Sequence, residues 1–270
     1  MKKTITADMP LRRTSFLQTA KKNKCLLLMI LPALLYFVIF SYIPMFGVVL
    51  AFKKYDYALG ILKSPFVGLE NFKFFFKSGQ AFTVTRNTFL YNIAFIVLGN
   101  VMQLIVAIFL TEIGSKKIKK TAQTCIFFPY FISWVVVGAI VYNFFSFDYG
   151  FVNNILESLS MNPINVYSEP KYWPFIIIFL DIWKGLGYGS VVYMATIAGI
   201  DTSVYEAAEI DGANIMQRIW HITIPALRST MITLVLLALG RVFRGNMTMF
   251  YSLVGNNGLL YNYTDVIDTF

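Results

Sequence analysis

A chain of 270 residues that is 57% apolar, 17% aromatic and only 14% charged, with a mean hydropathy of +0.63, excludes a disordered polymer, a disulfide-built secreted domain and an ordinary cytosolic enzyme. Soluble domains carry roughly 25% charged residues. The net charge of +9 does not indicate nucleic acid, because the basic residues flank apolar runs and form no single stripe.

Residues 1–24 form a polar tail with Lys2, Lys3, Arg12, Arg13, Lys21, Lys22 and Lys24. The next 28 residues, Cys25 to Phe52, carry no charge. A secretory leader has an apolar core of about 7–15 residues, whereas a bilayer needs about 20. This run therefore predicts a membrane span over about 25–48. Charge-free runs at Asn87–Thr111 and Thr121–Phe147 predict two more, about 87–111 and 121–146. A fourth, about 172–199, is interrupted by Asp181 and Lys184. The fifth, about 224–243, contains Arg228, close enough to one end to snorkel, and Arg241. Cys25 and Cys125 both fall in apolar runs and read as small packing residues. Phe74 to Phe76, beside Lys73 and Lys77, read as lipid-facing or interfacial.

The tail and the cluster Lys116, Lys117, Lys119 and Lys120 share one side if the spans alternate. That side is expected to be cytoplasmic. The N-terminus then starts inside, and residues 201–223 are also inside.

That segment runs Asp201-Thr-Ser-Val-Tyr-Glu206-Ala207-Ala208-Glu209-Ile210-Asp211-Gly212-Ala213 and continues through Arg218 and His221 to Pro225. It predicts helix, turn, helix. Asp201 is an N-cap, the alanines favour helix, and Gly212 supplies a positive φ between two arms. Pro225 is expected to mark the boundary with the next span. A short elbow with small residues and a polar rim suits docking into another protein's cleft.

The segment resembles the EAA loop of ATP-binding-cassette importer permeases. Glu206, Ala207, Ala208, Asp211, Gly212, Ala213, Ile222 and Pro225 fall on that pattern, while Ile219 and Ile224 replace Phe and Leu. The resemblance extends to the maltose-type carbohydrate permeases, in particular the LplB-like polysaccharide branch. It is carried by Phe66-Val-Gly68-Leu-Glu-Asn71-Phe72, Arg86-Asn87-Thr88, Phe128-Pro129-Tyr-Phe-Ile-Ser133-Trp134, Asp181-Ile-Trp183-Lys184-Gly185 and Asp265-Val-Ile-Asp268-Thr.

It implies an all-α, polytopic helical bundle of the type I, MetI-like permease kind. Five spans are visible, and a sixth, expected after residue 270, is missing from this chain. It implies residence in a bacterial cell membrane. The implied partners are a second permease subunit, two ATPase subunits and an extracellular solute-binding lipoprotein or periplasmic protein. The chain itself is expected to bind no cofactor, no metal and no nucleic acid. It contains no GxxxxGK[ST] phosphate loop, so ATP with Mg belongs to the partner ATPase. Glu206 is implied to meet a basic group there.

In maltose-type permeases the position 25 residues before the EAA glutamate faces the sugar. Here it is Asp181, with Lys184 and Gly185 on the same helix face. Asp181 and Lys184, three residues apart, also fit a plain intrahelical ion pair. Trp183 and Tyr188 offer flat faces to a sugar or form an interfacial belt. An acidic sugar would find counter-charges in Lys184 and Arg241. His221, the single histidine, reads as an interface or packing residue. The rival readings are a permease for a non-sugar solute, a channel, and a membrane-embedded glycosyltransferase. The last would need an acidic pair at the membrane surface, and the dense acids lie inside the EAA pattern.

Overall fold

The computed structural model describes residues 22–270, so most of the basic tail lies outside the described residues. Its contacts divide the chain into two compact units at Ser78. Among the described residues there is no strand, only one antiparallel bridge between Lys53 and Phe66.

The first unit is built on α1, Lys24–Phe52, 29 residues long. Pro44 has no N–H and its ring crowds the carbonyl one turn back. The helix accommodates it by widening to a π turn at Val38–Tyr42, where the Ile43 N–H reaches the Val38 carbonyl. Every residue of α1 up to Val49 is exposed, Cys25 included. The expectation that Cys25 and Cys125 pack inside is therefore corrected, since both are exposed. In a membrane an apolar face satisfies itself against lipid, and a small apolar residue needs no core. Asn71 closes the end of α1 by donating to the carbonyls of Ala51 and Lys53, at 3.0 and 2.9 Å. It belongs to α2, Glu70–Lys77, whose Phe74 and Phe76 are exposed beside its lysines.

The second unit contains α3 (Gln80–Glu112), α4 (Lys116–Phe127), α5 (Trp134–Phe145), α6 (Phe151–Ser158) and α7 (Trp173–Ala198). It continues with α8 (Thr202–Ile210), the long helix α9 (Ile215–Leu239), α10 (Met247–Val254) and α11 (Tyr261–Thr264). Among the described residues four helices are long and apolar enough to cross a membrane: α1, α3, α7 with its 3-10 lead-in, and α9.

The run expected as the third span is two helices, because α4 and its 3-10 extension Phe128–Phe131 meet α5 at 96°. Pro129 tightens the end of the first arm, Ile132 is extended, and Ser133 caps the second by accepting from the Val136 N–H at 3.3 Å. Apolar content shows none of this, since the run Thr121–Phe147 is charge-free on both sides of the bend.

α3 and α7 run parallel. Tyr91 shares one buried cluster with Trp173, Ile177 and Leu180, while Ala107 and Leu110 share another with Tyr193, Met194 and Leu227. Two glycines on α7 permit close packing, Gly189 against α3 and Gly187 against the end of α4. A Cβ on Gly187 would lie 2.5 Å from the Phe127 Cα and 2.6 Å from the Ile126 carbonyl oxygen. One on Gly189 would overlap the Gln103 carboxamide. Small residues are what let helix backbones approach in a bilayer. Because backbone cannot rotate away, Gly187→Ala is expected to destabilise the fold by about 1–3 kcal/mol, read as a lower melting temperature of the purified protein in detergent.

The last segment is tied to the start of α3. Asn87 donates to the carbonyls of Asn262 and Asp265, both at 3.1 Å, and Tyr91 donates to that of Tyr263 at 2.8 Å. The Ile267 N–H reaches the Thr88 hydroxyl at 2.9 Å.

Candidate functional site

Two features concentrate the polar chemistry of the second unit. One is the elbow of α8 and α9; the other is a cavity walled by α3, α7, α9 and α10.

Asp201 opens the elbow, its carboxylate accepting from the Ser203 N–H at 2.9 Å. That hydrogen bond holds the Asp201 carboxyl below its ordinary pKa, so the cap is ionised at neutral pH. At the other end of α8 the Gly212 N–H reaches the Glu209 carbonyl and the Ala213 N–H reaches that of Ala208, at 3.0 and 2.9 Å. Gly212 has φ +80°. This is the paired hydrogen-bond pattern of a Schellman ending, with glycine in the left-handed position. The spacing Ala208 to Gly212-Ala213 is thus a helix stop.

Asn214 then starts α9 with a reciprocal cap. Its side chain accepts from the Gln217 N–H, and Gln217 returns the bond to the Asn214 N–H, at 2.9 and 2.8 Å. Two bonds brace the arms: Tyr205 to the buried Thr223 at 2.9 Å, and Arg218 to Glu209 at 3.3 Å. The ion pair is exposed on the Glu209 side and contributes under about 1 kcal/mol. Glu206, Ala207 and Asp211 are exposed, while Ala208 and Ala213 are half-buried. Ile210, Met216 and Trp220 are also exposed, Ile210 by 87%. An apolar tip ringed by carboxylates, presented away from the helix bundle, has the character of an unfilled protein interface.

Pro225 does not end the second arm. A π turn at Ile219–Thr223 passes the Ile224 N–H to the Ile219 carbonyl, and the helix runs on to Leu239. The arm and the long apolar helix are one continuous rod, Ile215–Leu239. His221 is exposed, and its Nδ1 lies 3.0 Å from the Gln217 carbonyl oxygen.

The cavity, about 740 Å³, is lined from α3 by Asn92, Asn100 and Gln103 and from α7 by Asp181 and Tyr188, with Arg241 and Arg244 at its rim. It spans the stretch of α3 and α7 between their two buried clusters. Asp181, Tyr188 and Arg241, all singled out from the sequence, come together here.

Trp183, Lys184 and Gly185 do not line it. Trp183 packs against the buried cluster around Trp173, and the Gly185 carbonyl accepts from Gln103 at 3.4 Å. Lys184 turns toward the bend between α4 and α5. Its ammonium donates to the carbonyls of Pro129 at 3.2 Å, Tyr130 at 2.8 Å and Ile132. The rings of Tyr130 and Trp134 flank it. Among the described residues the ion pairs are Lys171–Glu169 and Arg218–Glu209, so Asp181 and Lys184 do not form one. Sequence reasoning missed Asn92, Asn100, Gln103 and Arg244. The spacing of the first three along one helical stripe was the available signal.

Long apolar helices, a polar cavity among them and an apolar-tipped elbow on a rigid arm define a helical membrane-transport subunit. Residues 103–264 match the family described as the binding-protein-dependent transport system inner membrane component, and the chain belongs to that family. It is 37% identical to protein LplB of Bacillus subtilis, over 95% of this chain and 80% of that protein. It is 34% identical to the polygalacturonan/rhamnogalacturonan transport system permease protein YteP of the same organism, over 81% and 68%. A solved bacterial ABC transporter involved in the import of the acidic polysaccharide alginate superposes with a TM-score of 0.82 at 31% identity, covering 94% of this chain and 84% of that one. The chain is therefore an inner-membrane permease of the ABC-importer type and a transport subunit, with the fold expected from its sequence.

Proposed function

We propose that this chain is the membrane-spanning subunit of an ATP-driven oligosaccharide importer. In this reading it shares the translocation path with a second permease and receives its power stroke from an ATPase at the elbow. The observation that carries it is the continuity of the elbow with α9, which joins an exposed docking tip to a helix beside the cavity. Closure of an ATPase dimer would move α8 and, through the Tyr205–Thr223 and Arg218–Glu209 braces, the whole of α9. Rocking of one helix group against another is the usual basis of alternating access. The sugar reading is supported by relatives named as polygalacturonan/rhamnogalacturonan and arabinooligosaccharide permeases.

The elbow and the lysines of α4 lie at the same end of the bundle and face the cytoplasm in this reading. The cavity rim at Arg241 and Arg244 then faces outward, toward a solute-binding protein. A similar solved structure is in complex with a pentasaccharide-bound periplasmic protein, which supports that partner.

Glu206→Ala is expected to weaken capture of the ATPase subunit about tenfold, with membrane insertion unchanged. Co-purification from membranes expressing the complete transporter reads this out. Undiminished capture together with undiminished oligosaccharide uptake would count against the docking role.

A further inference from the structure

The rim of the cavity carries charge that helix packing does not use. Arg241 and Arg244 stand on the non-helical stretch between α9 and α10. Among the described residues neither guanidinium has a hydrogen-bond partner, and neither comes within 4.0 Å of a carboxylate. The neighbouring polar groups are already engaged. Asn92 donates to the carbonyls of Thr88 and Arg244, which fixes the Arg244 backbone. Asn100 accepts from Tyr193, and Asp268 accepts from the Gly245 N–H. Across the cavity Asp181 is left without a hydrogen bond among the described residues, beside the exposed ring of Tyr188.

We propose that the solute passing this cavity is an acidic oligosaccharide, its carboxylates held by Arg241 and Arg244 and its hydroxyls by Asp181. This rests on the oligosaccharide-importer reading and narrows it to a substrate class. A guanidinium stays charged at any physiological pH and presents a planar fork that matches a carboxylate bidentately. A neutral sugar gives Asp181 hydroxyl donors equally well, but brings no anion to the two unpaired cations of the lining. Lys184, one turn from Asp181 on α7, takes no part because three carbonyls hold it.

The test uses the complete transporter with its binding protein in proteoliposomes. It is offered a pool of uronic-acid oligosaccharides of two to five residues, and the same pool after carboxyl reduction to neutral sugars. The wild type is expected to favour the acidic pool by about tenfold or more, and Arg241→Gln with Arg244→Gln to erase that preference by losing acidic uptake alone. The paired Lys variants keep the charge without the fork and are expected to retain part of the preference. They also show that the rim tolerates substitution. Uptake of the neutral pool alone would overturn the acidic proposal and leave the importer reading standing. Equal loss of both pools in the Gln variant would overturn it too, by assigning the arginines to binding-protein docking. Uptake of neither pool by the wild type would overturn the sugar reading and the proposal with it.

Discussion

Gly212→Val is expected to reduce solute uptake by the assembled transporter about tenfold or more, with no loss of membrane insertion. At φ +80° a side chain meets the following carbonyl, at a cost of about 1–2 kcal/mol even before β-branching is added. The chain relieves that strain by abandoning the left-handed turn. The two N–H bonds to Ala208 and Glu209 then go, and with them the angle between α8 and α9. Nothing surrounds the Gly212 Cα closely enough to clash with a new Cβ, so the effect isolates backbone conformation from packing. Gly212→Asn is the control. Asparagine tolerates the left-handed region and is expected to keep most of the uptake. ATP hydrolysis measured alongside separates the two parts of the effect: a misangled elbow that still docks hydrolyses ATP without moving solute. Wild-type uptake by the valine variant would show that the transporter does not need this turn.

The glycine was legible from sequence because a helix stop depends on neighbours within five residues. The same holds for the Asp201 cap and for the apolar runs, whose length alone sets what crosses a membrane. What escaped is what depends on residues far apart. The bend at Ile132 was invisible in an uncharged run. Pro225 looked like a boundary because a local rule ends a helix near proline, yet a π turn carries α9 through it.

The stretches that carried the family resemblance acquire a common physical meaning in the fold. Asn71 closes α1, Asn87 and Thr88 hold the 262–267 segment, Ser133 caps α5, and Lys184 holds the bend. Each satisfies backbone groups where a helix stops. In lipid there is no water to do so, which makes such residues hard to replace wherever the spans break. The substrate-facing residues have no such local rule. Asp181 and Lys184 are one turn apart, yet one borders the cavity and the other does not, and only the position of the bent span decides which.

That assignment yields the second large effect. Lys184→Met is expected to lower the stability of the purified protein by on the order of 3 kcal/mol, with a matching fall in yield. Hydrogen bonds from a charged donor contribute about 1.5–3 kcal/mol each. Removing the ammonium takes a partner from the carbonyls of Tyr130 and Ile132 at the 96° bend and leaves the Pro129 carbonyl only the Ile132 N–H. Asp181→Asn is expected to leave folding nearly untouched and to act on uptake. The double variant separates a clamp from an ion pair. Were the two residues paired, replacing both would remove two charges together and recover the loss caused by one. With Lys184 bound to carbonyls, Asp181→Asn combined with Lys184→Met is expected to melt no higher than Lys184→Met alone. Thermal unfolding of the wild type, both single variants and the double in one detergent decides it. A double variant restored to the wild-type midpoint would reinstate the pair and remove Lys184 from the bend.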